Sequence, residues 1–476
     1  MPFEPPPTPP AIVSTLEAPE SADGDELGRS VGWSEPYAVA GAWGATRNGL
    51  LLRGSAHVWR RTTVGWIDEG QLLAPDGAAG DQFGVSVGVS TTGDGFNLNG
   101  VAVVGAFTAD LPGKTDAGAA YVFRRDIASA QWVMEAKLVA GDAAASDQFG
   151  RSVAVDGDTI AVGCWKKTGS RGAVYVFRHT GGGTWVQKAK LTAPDAFAGD
   201  GLGVSVDVDA GRVVAGAWGD DIGTNINQGS AYVFAEGGNG WSMQSKLVAP
   251  NGAASDECGR SVAIEGNRAI VGTWPFFGSG IGRAFIFEDT GPGTWIPTGT
   301  LSAPVPQQND NFGFAVGLAG EAAVVGAYGD DEGLQANQGS VHVFIHSGGS
   351  PGGTWTHVAR LVREDGQAND NFGISVSAAD ELCMVGANLD DGGSLNEGSI
   401  TMVWAQDCNG DGAGGLCEAL PGDTDGDAVV TFNDLGYLLG SWGPVPPGHP
   451  ADANHDGMVD GYDLGILLSN WTVAPP

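Results

Sequence analysis

The chain has 476 residues, including 79 glycines, and its 56 acidic residues against 23 basic ones give a formal net charge of −33. This charge argues against a nucleic-acid partner, because the protein offers little to replace the counterions of a phosphate backbone. No apolar run reaches the roughly 18 residues that a membrane span needs, and the proline-rich residues 1–10 show no signal peptide.

One phrase recurs seven times, and such internal repetition is the strongest signal in the sequence. Each copy opens on a leucine, at Leu16, Leu72, Leu138, Leu191, Leu247, Leu301 and Leu361. Each then places an aspartate two residues before an apolar–glycine pair, at Asp25, Asp81, Asp147, Asp200, Asp256, Asp310 and Asp370. The openings lie between 53 residues (Leu138 to Leu191) and 66 residues (Leu72 to Leu138) apart, a spacing near that of propeller blades.

Every repeat predicts four strands. An alternating segment such as 152–155 is followed by a tight turn such as 156–158 and by a second strand that ends in a glycine–small pair. A third strand follows, and a fourth carries a tryptophan in the first six repeats, at Trp66, Trp132, Trp185, Trp241, Trp295 and Trp355. The seventh repeat stops at Trp404 without a fourth strand, so we expect residues 11–16 to pair into it and close a ring.

These motifs resemble FG-GAP repeats, the blades of integrin α-subunit propellers and of many bacterial surface proteins, over residues 11–405. The resemblance implies an all-β, seven-bladed β-propeller. Integrin-type blades carry an Asp-x-Asp-x-Asp-Gly calcium loop, whereas only short turns such as 265–267 stand at that position here. Calcium in the propeller therefore does not follow from the resemblance.

A different acidic loop follows the glycine–small pair in three repeats, at 220–221, 330–331 and 390–391. One interpretation is a cation or ligand site on one rim of the propeller. The other is a solvated turn in which each aspartate caps its own backbone.

The composition changes after Gln406, since residues 407–476 contain no Lys or Arg. Two loops fit the oxygen-ligand spacing of an EF-hand, which favours Ca²⁺. The first predicts as ligands Asp423, Asp425, Asp427, the Val429 carbonyl, Thr431 and Asp434. The second predicts Asp452, Asn454, Asp456, the Met458 carbonyl, Asp460 and Asp463. A degenerate loop in the junction, residues 406–421, predicts Asp407, Asn409, Asp411 and Glu418. An acidic linker without metal is the alternative.

A helix is predicted after each of the two loops, at 435–442 and 464–471, which makes residues 422–476 a small α-helical domain of paired EF-hand-like units. This duplication resembles a type I dockerin, and the resemblance implies a cohesin-like partner. Loop positions 10 and 11, 432–433 and 461–462, differ from the common Ser-Thr pair. In the junction, which resembles a thrombospondin type 3 calcium unit, Cys408 and Cys417 are either a short disulfide of an oxidising compartment or two free thiols.

No catalytic constellation emerges from the sequence. Residues 84–88 match the G-x-S-x-G motif, but Ser86 lies inside a predicted strand and its slot is again serine in other repeats, so we expect a packing position. His342 and His346 are expected on a strand surface. Buried thiols are expected at Cys164, Cys258 and Cys383, and the periodic tryptophans are expected to pack blades together rather than to bind sugar.

The sequence therefore predicts a secreted or cell-surface, calcium-binding protein that is not an enzyme and presents its propeller rim to a protein or glycan ligand. One alternative is a component of polysaccharide breakdown, attached to a scaffold through its dockerin-like tail. Another is a purely structural envelope protein.

Overall fold

The computed structural model describes residues 11–62, 65–92, 99–275, 281–291, 293–348, 351–379, 382–391, 395–404, 443–444 and 458–459. The chain divides into two compact units, one of residues 11–403 and one of residues 1–10 with 404–476. The larger unit contains seven four-stranded antiparallel sheets. It is the seven-bladed, all-β propeller that the repeats predict.

The first strand, β1 (Ala11–Leu16), belongs to the last blade. From the centre outward, blades one and two consist of β2 (Leu27–Ser34), β3 (Tyr37–Ala42), β4 (Ser55–Thr62), β5 (Gly65–Leu72), and β6 (Val87–Thr92), β7 (Asn99–Ala106), β8 (Ala119–Asp126), β9 (Gln131–Leu138). Blades three and four consist of β10 (Phe149–Asp156), β11 (Thr159–Cys164), β12 (Val174–His179), β13 (Trp185–Leu191), and β14 (Val206–Asp209), β15 (Arg212–Ala217), β16 (Ser230–Gly237), β17 (Gly240–Leu247).

Blades five and six consist of β18 (Ser261–Glu265), β19 (Arg268–Gly272), β20 (Ala284–Asp289), β21 (Trp295–Leu301), and β22 (Phe312–Ala319), β23 (Ala322–Ala327), β24 (Ser340–Ser347), β25 (Thr354–Leu361). Blade seven contains β26 (Ser375–Ala379), β27 (Leu382–Ala387) and β28 (Ser399–Trp404), and β1 is its outer strand. The predicted ring closure by residues 11–16 is confirmed. A short turn at Lys167–Ser170, which the sequence patterns did not predict, follows β11, and Thr168 and Gly169 within it have left-handed backbone angles.

The repeated aspartates shape the entry to every blade. In all seven, the carboxylate accepts the backbone N–H of the residue three positions earlier, at 2.6 to 3.1 Å. The glycine that follows permits a close approach between blades: Gly84 has φ +95°, and a Cβ there would lie 2.2 Å from the Ser55 carbonyl oxygen. The aspartates are therefore turn formers.

The hydrophobic core lies between neighbouring blades. One cluster of buried residues, for example, joins Val39 and Val58 of blade one to Phe83, Val87 and Tyr121 of blade two. The repeated tryptophans extend this packing, since Trp132 of blade two lies 5.2 Å from the Tyr37 ring of blade one and donates its indole N–H to Glu69 at 2.8 Å. These contacts agree with the blade-packing interpretation of the tryptophans.

The two strand histidines contradict the prediction of a surface position. His342 and His346 are only 2% and 5% exposed, because β24 lies between two strands of its sheet and other side chains cover both histidines, Phe312 over His342 and Arg268 of blade five at His346. His342 bonds His357 at 3.0 Å, and burial lowers its pKa to about 4. His346 Nδ1 lies 2.7 Å from Glu321. The three propeller cysteines are buried free thiols, as expected.

The second unit contributes two short described strands, β29 (Gly443–Pro444) and β30 (Met458–Val459), which pair antiparallel. Met458 is one of the sixteen predicted metal ligands. The other fifteen, the predicted helices and the Cys408–Cys417 pair lie outside the described residues. In the described part of the chain, no helix is long and apolar enough to cross a membrane.

Candidate functional site at the mouth of the central channel

The two faces of the propeller carry connections of very different length. In blade four, residues 210–211 join the first two strands, whereas residues 218–229 join the second and third. Because successive strands are antiparallel, the long connections lie on the face where each innermost strand begins. We call this the long-loop face and the opposite one the short-turn face.

The innermost strands β2, β6, β10, β14, β18, β22 and β26 surround a central channel. A cavity of about 370 Å³ lies toward the short-turn face, and its lining includes the ends of these strands. A cavity of about 210 Å³ lies toward the long-loop face, where the strands start. The two mouths differ in charge, because acidic side chains line the first and arginines line the second.

At the short-turn mouth the carboxylates bind the protein itself. Asp156, Asp209 and Glu265 each accept a backbone N–H of the next blade at 2.8 to 2.9 Å. The donors are Ala210, Gly266 and Gly320. Asp207 accepts one backbone N–H from Ile264 of the next blade and one from its own neighbour Val208, while burial raises its pKa to about 7. These groups join blades and are already satisfied.

At the long-loop mouth three arginines, Arg29, Arg151 and Arg260, occupy the position directly after the apolar–glycine pair in blades one, three and five. The equivalent residues of the other blades are uncharged: Val85, Val204, Phe314 and Ile374. We call the three the arginine triad. Within the described residues, no guanidinium of the triad has a hydrogen-bond or ion-pair partner. The carboxylates of Glu26 and Glu257 act on Arg29 and Arg260 only through space.

The triad is held close enough for its members to repel one another. Burial, together with the charges of Arg260 and Arg29, lowers the pKa of Arg151 to about 9. Burial is also the main cause that lowers the pKa of the other two. A guanidinium with such a pKa remains protonated at neutral pH. The mouth is therefore positively charged.

An arc of aromatic rings borders the triad. The Arg260 guanidinium lies 4.5 Å from the ring centroid of Trp274 and 5.7 Å from that of Trp218, and Arg29 lies 5.9 Å from Phe314. The arc continues through ring contacts of 4.8 to 6.5 Å and consists of Trp165, Trp218, Trp274, Phe314 and Tyr328. Four of these five follow a glycine–small pair and are half-buried.

Two polar atoms beside Arg260 also lack a hydrogen-bond partner among the described residues. Glu257 is 1% exposed, its Oε2 has no hydrogen bond, and the indole N–H of Trp218 has none. Burial raises the pKa of Glu257 to about 7, which the charge of Arg260 only partly offsets. Unsatisfied buried polar groups are uncommon in native proteins and are frequent where a ligand or water completes the site.

The paired acidic loops divide into two kinds of aspartate. Asp220, Asp330 and Asp390 are buried, accept a serine hydroxyl, and form ion pairs with Lys246, Arg360 and Arg363 respectively. Asp221, Asp331 and Asp391 accept backbone N–H groups of their own loops at 2.7 to 2.8 Å. The second aspartate of each pair therefore caps the backbone of its own loop, as one interpretation predicted. The first aspartate of each pair is buried, so the prediction of a solvated turn is wrong for it. Among the described residues, no group of three or more His, Cys, Asp or Glu side chains is placed so that it could hold a metal ion.

The serine of the G-x-S-x-G segment has a structural partner. Ser86 Oγ donates to the Gly150 carbonyl of the next blade at 3.0 Å. The same bond recurs at 2.7 to 3.1 Å from Ser152, Ser205, Ser261 and Ser375. The slot is a packing position, as the repeats predicted.

Sequence reasoning missed the arginine triad. The available signal was an arginine directly after the apolar–glycine pair in three repeats, in a chain with few basic residues. This position lies at the start of the innermost strand, so its meaning depends on which strand faces the channel.

The comparisons with known proteins concern the propeller. The FG-GAP repeat family matches at residues 66–123, 132–177, 185–234, 241–287, 295–344 and 355–400, well over half of the chain. No curated protein matches. Among solved structures, the crystal structure of Saccharomyces cerevisiae Sqt1 is similar at a TM-score of 0.43 and 9% identity, over 80% of this chain and 84% of that one.

Proposed function

Because the chain belongs to the FG-GAP repeat family, we propose that it is a non-enzymatic binding or adhesion protein that holds its ligand on the long-loop face of the propeller. The family's fold suits this role, since a rigid scaffold presents loops for recognition. We further propose that the protein is extracellular or attached to the cell surface, and that its ligand is a protein or a glycan.

One observation carries the choice of face. The polar groups of the short-turn mouth bond to the protein, whereas the long-loop mouth combines an unpaired arginine triad with the aromatic arc. Aromatic and arginine side chains supply much of the binding free energy at recognition sites. Buried groups that lack partners among the described residues are available to a ligand.

The binding test uses the full-length protein on arrays of glycans and of extracellular proteins. Trp274→Ala removes a ring of the arc, and we expect ligand affinity to fall at least about tenfold, as for a typical aromatic hot spot. Trp241→Ala, in outer strand β17, is the matched control and should leave affinity unchanged. Equal binding by Trp274→Ala and the wild type would place the ligand elsewhere.

We also propose that the C-terminal segment binds Ca²⁺ through the two EF-hand-like loops and the junction loop. The donor set fits the metal, because carboxylates, an amide and backbone carbonyls are the hard oxygen ligands that calcium prefers. Calcium there would screen the carboxylates of a segment without Lys or Arg.

Calcium calorimetry on the full-length chain tests this part. The double variant Asp423→Ala/Asp452→Ala removes the first ligand of both loops and should abolish most of the heat of binding. Asp221→Ala/Asp331→Ala, in the propeller loops, should leave the heat unchanged. Absence of calcium binding by the wild type would remove calcium from the proposed function.

A scaffold-docking role is the second candidate, favoured by the duplicated loops whose first ligands, Asp423 and Asp452, are 29 residues apart. In that case the tail would bind a cohesin-like domain and the propeller would serve polysaccharide breakdown. Calcium-dependent capture by immobilised cohesin domains, lost in Asp423→Ala/Asp452→Ala, is the expected result. No capture in saturating calcium would rule the role out.

A further inference from the structure

We propose that the long-loop mouth is an anion site, which takes a single carboxylate, sulfate or phosphate group carried by an otherwise neutral ligand. The site rests on the proposed function, because it names the chemical group that the long-loop face would hold. Four features of the described residues support it.

Among the described residues, the side chain of every other buried or half-buried arginine forms a hydrogen bond within the protein, whereas the three guanidiniums of the triad form none. Carboxylates are abundant in the chain, and other arginines of the propeller use them: Arg125 binds Glu69 at 2.7 Å, and Arg363 binds Asp390. Arg29, Arg151 and Arg260 nevertheless have no such partner among the described residues. Three unpaired cations at one mouth of a protein with net charge −33 call for an anion from outside.

The unliganded mouth is electrostatically unfavourable. The guanidiniums repel one another and are partly removed from water, and arginine cannot relieve this by losing its proton. An anion that contacts the triad would offset the repulsion between the guanidiniums, and replacing one of the three arginines would reduce this repulsion. Ligand affinity and fold stability should therefore change in opposite directions on mutation.

The shape of the mouth favours a small planar or tetrahedral group. The cavity of about 210 Å³ is smaller than the roughly 300–1,000 Å³ of a typical pocket for a whole ligand. Guanidiniums donate pairs of parallel hydrogen bonds to carboxylate, sulfate and phosphate oxygens. The neighbouring Trp274 and Trp218 rings offer apolar surface to the part of the ligand next to the acidic group.

The overall charge of the protein disfavours a polyanion as the ligand. A chain of net charge −33 repels a molecule with many acidic groups, and only those within the mouth would gain contacts with the triad. A single acidic group on a neutral sugar or peptide avoids this repulsion. Nucleic acids and densely sulfated polymers are therefore disfavoured.

The test is calorimetry and thermal unfolding of the full-length protein with sodium sulfate, glucuronate and galacturonate at constant ionic strength, with glucose and chloride as negative probes. We expect saturable binding of at least one oxyanion. Arg29→Gln, Arg151→Gln and Arg260→Gln should each weaken it about tenfold or more, as expected for loss of a charge-assisted hydrogen bond. Arg171→Gln removes an exposed charge of the long-loop face outside the triad, and should weaken it less than twofold.

The probes also separate the sources of the anion. Binding of sulfate alone indicates a free oxyanion, whereas tighter binding of a sugar acid indicates a ligand with an acidic sugar. Absence of saturable binding by every oxyanion, or equal losses in Arg151→Gln and Arg171→Gln, would overturn the anion site. If Trp274→Ala still reduced array binding in that case, the proposed function would stand without it.

Thermal unfolding guards against a trivial loss of folding. Each triad variant should unfold at the same temperature as the wild type or higher, because it removes an unpaired charge. If no ligand is found on the arrays although sulfate binding depends on the triad, the anion site would stand. The proposed role in protein or glycan binding would then be wrong.

Discussion

The two mouths of the channel are formed by the same seven innermost strands, yet their polar groups have opposite arrangements. At the short-turn mouth, Asp156, Asp209 and Glu265 bond to the next blade, and their charge is part of the ring's construction. At the long-loop mouth the arginine triad has no such bonds within the described residues. In a repeat fold, the polar groups at one end of the innermost strands can thus stabilise the structure while those at the other end remain without a partner.

The difference follows from the position of each slot in the blade. The end of an innermost strand leads into a two-residue turn, such as 210–211, whose backbone lies against the neighbouring turn and can donate to it. The start of the strand follows a wide loop, so the side chain there extends into open channel space. Substitutions at the two ends should therefore have different consequences.

The largest effect should come from forcing two blades apart, which disturbs both mouths together. A Cβ on Gly216 of blade four would lie 1.8 Å from the Gly259 carbonyl oxygen of blade five. Gly216→Ala should lower the free energy of unfolding by about 3 kcal/mol. Chemical denaturation measures this, with Gly238→Ala as the control, since nothing lies within 4 Å of a Cβ there. Equal stability of the two variants would contradict the close packing of blades.

Changes of pH should affect both mouths through one carboxyl at each. Burial raises the pKa of Asp207 and of Glu257 to about 7, above the unfolded values near 4. A raised folded pKa means that the folded state holds the proton more tightly, so this stabilisation is complete below about pH 4 and is lost as the pH rises through 7. Between pH 5 and about 8, each group should change the free energy of unfolding by about 2–3 kcal/mol.

Denaturation of Glu257→Gln and Asp207→Asn between pH 5 and about 8 checks this prediction. Each variant should lose less stability than the wild type as the pH rises. If the stability of the wild type instead increased from pH 5 to about 8, and increased equally in both variants, neither carboxyl would have a raised pKa.

A smaller effect is expected at the short-turn mouth alone. Asp209→Ala leaves the Gly266 N–H without its 2.8 Å bond and should lower the free energy of unfolding by about 1 kcal/mol. Oxyanion binding should remain at the wild-type level, because Asp209 lies at the other mouth. Asp209→Asn keeps an acceptor and should recover most of the stability. A loss of oxyanion affinity in Asp209→Ala would show that the mouths are coupled.

The smallest effect, and opposite in sign, is expected at the long-loop mouth. Arg151→Met keeps much of the side-chain volume and removes an unpaired charge, so it should raise the free energy of unfolding by about 0.5–1 kcal/mol. Val204→Met, at the equivalent uncharged position of blade four, is the matched control and should not stabilise the protein. A destabilised Arg151→Met would mean that the guanidinium serves the fold.

The sequence predicted the features that repeat. The seven aspartate turns, the serine slot and the pairing of residues 11–16 into blade seven all follow from comparing one repeat with another. The histidines of β24 were misjudged because strand alternation does not show that both faces of an inner strand are covered.

The triad could not be recognised before the ring was known. An arginine at the start of a strand is ordinarily exposed, and only the radial arrangement brings residues 29, 151 and 260 to one mouth. Likewise, whether the Asp220 carboxylate was solvated or buried depended on Lys246 from the outer strand of the same blade, a contact that the loop sequence alone does not contain.

Thermal unfolding in increasing sulfate at constant ionic strength tests the division between the mouths most directly, with the wild type, Arg151→Met and Asp209→Ala compared side by side. A ligand that binds only the folded state raises the unfolding temperature. We expect sulfate to raise the unfolding temperature equally in the wild type and in Asp209→Ala, although Asp209→Ala unfolds at a lower temperature without sulfate. Arg151→Met, which unfolds at a higher temperature without sulfate, should need at least about tenfold more sulfate for the same rise. A parallel rise in all three proteins would show a general salt effect and contradict the distinction between a ligand mouth and a structural one.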